Sequence, residues 1–181
     1  MKGERSLKSR ALQLLAQRDQ SRLELRRKLL RHARVRPATS AAGASPDAAD
    51  ADVDADSIAG EVDALLDWLE ANRFLSDARF AESRVHARAE RFGIQRIRGE
   101  LAQHAVVLSP ELAASLAASE IDRAAAVRAR RFAAVPASAG ERAAQSRFLL
   151  GRGFSPDLVQ RLMRRLARAD VTPSEGALGS D

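Results

Sequence analysis

The sequence has no cysteine, no tyrosine, a single tryptophan and no long apolar run. Each absence removes a class of protein. Without cysteine there is no disulfide, no thiolate nucleophile and no Cys-based metal site. No apolar stretch approaches the ~20 residues needed to cross a bilayer. The first ten residues, MKGERSLKSR, lack the apolar core of a secretory signal. A soluble cytoplasmic protein with no membrane partner is therefore expected. Aromatics are only 4% of a chain whose hydrophobic fraction is 45% and rich in alanine. Strands favour β-branched and aromatic residues, whereas alanine is the strongest helix former, so an all-α fold is predicted.

The residue patterns of common active sites are also missing. There is no GxxxxGKS/T phosphate loop and no GxGxxG. His32, His86 and His104 lie far apart without metal-ligand spacing and read as surface or half-buried helix histidines. Asp47, Asp50, Asp52, Asp54 and Asp56 lack the glycine and closing glutamate of a calcium loop. Asp63, Asp67 and Glu70 have no basic residue near them in sequence and read as the wet face of one helix. Neither catalysis, nor a cofactor, nor a bound metal is expected.

What the sequence does have is cationic charge, unevenly placed. Residues 1–36 hold twelve Lys/Arg against three acids, whereas residues 38–70 hold nine acids and no cation. From Asn72 to Arg168 the balance is basic again, and 27 of the chain's 30 cations are arginine. A basic domain suits a polyanion or an acidic protein surface. The plainer alternative is a solvated basic protein from a genome that favours Arg codons.

Periodicity and caps divide the chain into helices. Leu7, Ala11, Leu14 and Leu15 share one face, Ser21 and Glu24 have capping-box spacing, and Ile58, Val62, Leu65, Leu66 and Leu69 make another stripe. Ser109-Pro110-Glu111 and Ser155-Pro156-Asp157 are helix starts, with a capping serine followed by proline at the first helical position. Three stretches align as repeats: DQSRLELRRKL (19–29), RFGIQRIRGEL (91–101) and GFSPDLVQRLM (153–163). Ser21, Gly93 and Ser155 take the cap position; Leu25, Ile97 and Val159 coincide, as do Leu29, Leu101 and Met163. The expected organisation is a first three-helix repeat from 1–37 plus 58–75, a flexible acidic Ala/Asp-rich linker at 38–57, second and third repeats at 76–118 and 119–168, and a disordered tail at 169–181.

The candidate binding residues are basic stripes on these helices. Leu25 and Leu29 should face inward, which turns Arg22, Arg26, Arg27 and Lys28 outward. Arg84, Arg88 and Arg91 recur at i, i+4 and i+7, followed by Arg96 and Arg98; Arg161, Arg164, Arg165 and Arg168 do the same in the third repeat. Arginine suits such a surface because its planar fork pairs bidentately with carboxylate or phosphate. The alternative is that these are solvated faces whose stems cover apolar side chains. The six phenylalanines are expected to pack in the core rather than stack on bases.

The blocks ALQLLAQRDQSRLELRRKLL (11–30), FLSDARFAESRV (74–85), RIRGEL (96–101) and RFLLGRGFSPDLVQRLM (147–163) resemble, in the right order, the RecX family of bacterial recombination regulators. The resemblance covers most of the chain outside the linker and tail, and FLSDARFAES with RIRGEL downstream is its most specific part. It implies tandem three-helix repeats in an elongated, curved arrangement, and a monomeric regulator that binds the RecA filament on single-stranded DNA. It further implies that strand exchange, ATP hydrolysis and co-protease activity of RecA are reduced, with a bearing on DNA repair, recombination and the SOS response. Some family members also bind single- or double-stranded DNA directly, and a stand-alone basic DNA-binding protein is the competing reading. The acidic insertion at 38–57 departs from the family pattern.

Overall fold

The computed structural model describes residues 6–35 and 48–169, and side chains for 6–33 and 55–168. The described residues form nine helices and no strand: α1 Leu7–Gln17, α2 Arg22–Val35, α3 Ala48–Ala71, α4 Asp77–Ala89, α5 Ile94–Ala102, α6 Pro110–Ala118, α7 Glu120–Arg131, α8 Ala139–Gly151 and α9 Pro156–Ala169. The fold is all-α, as composition predicts. The chain divides into two compact units, Met1–Ser83 with His104–Val106, and Arg84–Gln103 with Val107–Asp181. The boundary falls within α4.

The linker needs correction. Helix α3 begins at Ala48, so residues 48–57 are helical and only 38–47 of the expected linker lie outside the described residues. Lack of large apolar residues does not prevent helix formation where alanine, the best helix former, alternates through the segment. The aspartates at 47–54 lie outside the described side chains, as do residues 170–181 of the expected tail; Ala169 closes α9.

In the first unit, α1, α2 and α3 bury Ala11, Leu14, Leu25, Leu29, Val62, Leu66, Leu69 and Leu75 together. The α1–α2 turn is pinned by Gln20, whose buried amide donates to the Leu14 carbonyl at 2.8 Å. In the second unit, Ala124, Val127, Leu149, Phe154, Leu158, Val159, Leu162 and Met163 form the cluster of α7, α8 and α9. Helix α5 buries Ile94, Ile97 and Leu101. The three aligned stretches thus start their helices at equivalent places, Arg22, Ile94 and Pro156, and every aligned apolar pair is buried.

The same device recurs at the first two of these starts. The Arg22 backbone N–H donates to Asp77 Oδ1 at 2.8 Å, and the Ile94 N–H donates to Glu120 Oε1 at 2.8 Å. Each carboxylate is the first residue of a later helix, α4 or α7, and caps the second helix of the repeat before it. The first N–H groups of a helix have no partner inside it, and a carboxylate there also meets the positive end of the helix dipole. At the third start Pro156 occupies the position, and proline has no N–H to satisfy. Asp77 thus caps α2 although it opens α4, while Ser76 Oγ accepts from the Arg79 N–H at 3.3 Å.

Gly93 holds the cap position of α5 without a capping side chain. Its N–H donates to the Arg152 carbonyl at 3.0 Å, and the Gln95 N–H donates to the Gly153 carbonyl at 3.2 Å. The turn before α5 therefore lies directly against the turn before α9. Gly153 has φ 82°, in the left-handed region that favours glycine.

Candidate functional site

The structure separates the candidate cations into two kinds. Those on α2 are largely committed within the first unit. Arg22 donates to Asp67 Oδ1 and Glu70 Oε2, both at 2.7 Å, and Arg26 makes a bidentate pair with Asp63 at 2.6 and 2.9 Å. Positions four apart on α2 meet positions four or more apart on α3, running the opposite way, so the two helices form an antiparallel ionic ladder. Lys28 reaches Glu24 at 2.8 Å and Gln20 Oε1 at 2.9 Å, and Arg18 also holds Glu24. Two readings change here. Asp63, Asp67 and Glu70 do have basic partners, supplied by a helix about forty residues earlier. The Glu24 side chain is taken by Arg18 and Lys28, so Ser21 and Glu24 make half a capping box: Ser21 Oγ accepts from the Glu24 N–H at 3.1 Å. A complete box forms at Ser138 and Glu141, opening α8.

Electrostatics follow the contacts. Hydrogen bonding to Arg26 holds the Asp63 carboxyl below its ordinary range. Burial alone would raise Glu24, but Arg18 and Lys28 outweigh it and hold it low. Burial opposes the Arg22 charge, yet Asp67 and Glu70 outweigh it and keep the guanidinium above its usual value. A carboxyl depressed in the folded state contributes stability that is present above its unfolded value, about 4, and is lost as pH falls through the lower folded value. The melting temperature is therefore expected to hold steady from neutral pH to about 5 and to fall below about 4. Asp63→Asn and Glu24→Gln should each flatten that fall. The Glu24 effect should resist added salt better, because its side chain is 15% exposed against 41% for Asp63.

The remaining candidates are placed differently. Arg88 pairs with Glu100 at 3.0 Å, and Arg96 reaches the same carboxylate at 3.5 Å while lying 4.4 Å over the Phe92 ring. Arg84 is half-buried and engaged. Arg27, Arg91, Arg98, Arg161, Arg164 and Arg168 are exposed and make no ion pair with the described residues. Arg165 has one long contact, 3.5 Å to the exposed Asp122. At about 100° per residue, Arg161, Arg164, Arg165 and Arg168 form one continuous strip on the exposed face of α9, with Arg165 at its α7 edge and Arg164 at its α8 edge.

Two arginines that sequence reading passed over prove structural. Arg123 donates to the carbonyls of Ala89, Phe92 and Leu116 at 2.8–3.0 Å, closing helix ends whose last carbonyls lack intrahelical partners. Burial lowers its pKa, with Glu120 pulling the other way. Arg128 is buried and donates to Gln145 Oε1 at 2.7 Å and to the Ala134 carbonyl. Their only sequence signal was position in α7 amid alanines. Of the phenylalanines, Phe80 and Phe154 are core as expected, but Phe74 is 47% exposed and stacks on Trp68, with Lys8 over that indole at 3.6 Å.

No group of three or more metal-ligating side chains occurs among the described residues, and none of their helices is long and apolar enough to cross a membrane. Residues 76–106 match the family model described as RecX, second three-helix domain. The Regulatory protein RecX of Ralstonia nicotianae is 45% identical over 161 residues, spanning 88% of this chain and 87% of that protein. That of Herbaspirillum seropedicae is 47% identical over 152 residues, spanning 83% and 84%. The crystal structure of RecX from Lactobacillus salivarius has a TM-score of 0.62 over 90% of this chain and 95% of that one, at 16% identity, and so shares the fold. With this identity sustained over most of its length, the chain belongs to the RecX family of regulatory proteins.

Proposed function

We propose that this protein binds the RecA recombinase filament on single-stranded DNA and modulates it, mainly by inhibiting strand exchange, ATP hydrolysis and co-protease activity. It would act, as a cytoplasmic monomer without catalysis or cofactor, in DNA repair and in control of the SOS response. Three tandem three-helix repeats would each contribute a segment of the contact surface. The observation that carries the reading, beyond family membership, is the segregation of cations. Arg22 and Arg26 of α2 are neutralised by α3, while α9 presents Arg161, Arg164, Arg165 and Arg168 as one strip in which only Arg165 has an ion-pair partner among the described residues, the exposed Asp122. An uncompensated arginine row has the charge and the bidentate geometry to meet phosphate or an acidic protein surface. Arg22, Arg26 and Lys28 are the weaker candidates, since a partner must first displace their carboxylates.

The test is RecA ATPase on single-stranded DNA with stoichiometric amounts of the protein. Wild type is expected to suppress hydrolysis. Arg161→Glu/Arg165→Glu/Arg168→Glu should need about tenfold more protein for the same suppression, while Arg22→Gln/Arg26→Gln stays within about twofold. Absence of suppression by wild type would overturn the reading. Tight binding to bare DNA with steep salt dependence, and no effect on RecA, would favour the stand-alone DNA-binding alternative instead.

A further inference from the structure

The second unit carries a surface groove between α8 and α9, with a volume of about 670 Å³. It is lined by Leu150, Pro156, Val159, Met163, Arg142 and Arg164, with Ala143, Ser146, Gln160 and Ala167 between them. Because α8 and α9 form a hairpin across the turn at 152–155, the lining is ordered along its length. Leu150 and Pro156 lie at the turn end, Ser146 and Gln160 in the middle, and Arg142 and Arg164 at the far end. The floor is apolar: Val159 and Met163 belong to the core cluster, and Leu150 leaves 42% of its surface in water.

We propose that this groove docks an acidic amphipathic helix from a partner protein. Length favours a helix. Pro156 to Ala167 spans eleven residue steps, about 16 Å at helical rise, which matches about three turns of a second helix. Small side chains at Ala143 and Ala167 let a backbone approach closely, and a polarizable methionine on the floor adapts to different apolar side chains. Exposed leucine beside such a floor is the pattern into which helices lay their i, i+3, i+4 and i+7 anchors.

Charge selects the partner. Arg142 and Arg164 make no ion pair with the described residues, and no carboxylate lines the groove. Glu141, the neighbour of Arg142, is turned back to its own helix cap, accepting from the Ala137 N–H at 2.8 Å. An occupant with carboxylates at one end and bulky apolar groups at the other satisfies both ends of the groove. A nucleic acid would leave the apolar floor unfilled, since its cations sit only at one end. The acidic face of α3 in a second copy is poorly matched, because its Asp63, Asp67 and Glu70 already hold Arg22 and Arg26. Only Arg164 is shared with the arginine strip of α9, and the peptide probe is read without a recombinase, so this inference can fail independently of the recombinase reading.

The probe is a fluorescent peptide of about 16 residues containing only Leu, Ala and Glu, with leucines on one helical face and glutamates opposite. Titrated against the full chain, it should bind saturably and shift backbone-amide NMR signals of α8 and α9 alone. Leu150→Glu and Arg164→Glu, both at exposed side chains, should each weaken binding about tenfold while leaving the melting temperature within the scatter of wild type. The same peptide with lysine in place of glutamate should not bind. Equal binding of the lysine peptide, or binding untouched by both variants, overturns the proposal. So does a dimer in sedimentation that Leu150→Glu dissociates, which would make a second copy the occupant. Peptide binding that emerges only when Asp170, Glu175 and Asp181 are neutralised would likewise replace the partner with the chain's own C-terminal segment.

Discussion

Replacing Gly93 by alanine is expected to cost about 3–5 kcal/mol, although its backbone, at φ −76°, is one any residue adopts. The reason is space. A Cβ on Gly93 would stand 2.2 Å from the Gly153 carbonyl oxygen, 2.4 Å from its carbon and 2.5 Å from the Phe154 nitrogen. All three are backbone atoms, which cannot rotate away as a side chain tip can. Relief requires the two turns to part by about an ångström, which overpacks or displaces the neighbouring core and breaks the bonds from Gly93 to Arg152 and from Gln95 to Gly153. Gly93→Ser is the more instructive variant. It places there the side chain that Ser21 and Ser155 carry at the equivalent position, and a helix cap would ordinarily gain from it by a few tenths of a kcal/mol. Here it should destabilise as much as alanine. Gly99→Ala in the neighbouring helix α5 is the control, since nothing lies within 4 Å of its Cβ position. It should raise stability by about 0.5–1 kcal/mol, as expected when alanine replaces glycine inside a helix. Chemical denaturation of the three variants checks the sign as well as the size. A Gly93→Ser protein as stable as wild type would show that the two turns do not touch in solution.

Glu120→Ala is expected to lower stability by about 2–3 kcal/mol, an effect that belongs to a helix twenty-six residues away. Glu120 is 5% exposed, and its Oε1 accepts from the N–H that opens α5. Alanine leaves that N–H buried without a partner and takes from Arg123 the nearby charge that offsets its burial. Glu120→Gln keeps an acceptor in place and should lose less than half as much, because a neutral acceptor makes a weaker bond than a charged one. A fall of about 5–10 °C in melting temperature is expected for alanine. Amide hydrogen exchange should localise the change: Ile94 and Gln95 should lose protection more than residues of α7 itself. Loss confined to α7 would mean that Glu120 serves only its own helix.

Both predictions rest on contacts that the sequence does not display, and they show where its legibility stops. Helix starts at Ser109 and Ser155 were readable because a cap and the residue it serves lie within three or four positions. The apolar stripes were readable for the same reason, and so was the alignment of Leu25, Ile97 and Val159. Gly93 was also legible at a cap position, but only as an absent side chain. That it must stay absent follows from Gly153, sixty residues later, whose carbonyl occupies the space. The acidic stretch before Ile58 misled in the other direction, since low bulk suggested a linker while its alanine content allowed ten further residues of α3.

The basic surface divides along the same line. Sequence alone determined that the protein is helical and cationic, that its cations are arginines at helical spacing, and which faces of α2, α5 and α9 turn inward. Those properties are set by neighbours within one or two turns. Only the tertiary structure decided which arginines remain available. The carboxylates that hold Arg22 and Arg26 arrive on α3, and Arg123 and Arg128 are drawn inward to satisfy carbonyls. Arg161, Arg164 and Arg168 keep their charge open to a partner because none of them makes an ion pair with a described residue. A charge pair forms where two helices meet, and that meeting is a property of packing rather than of spacing along the chain.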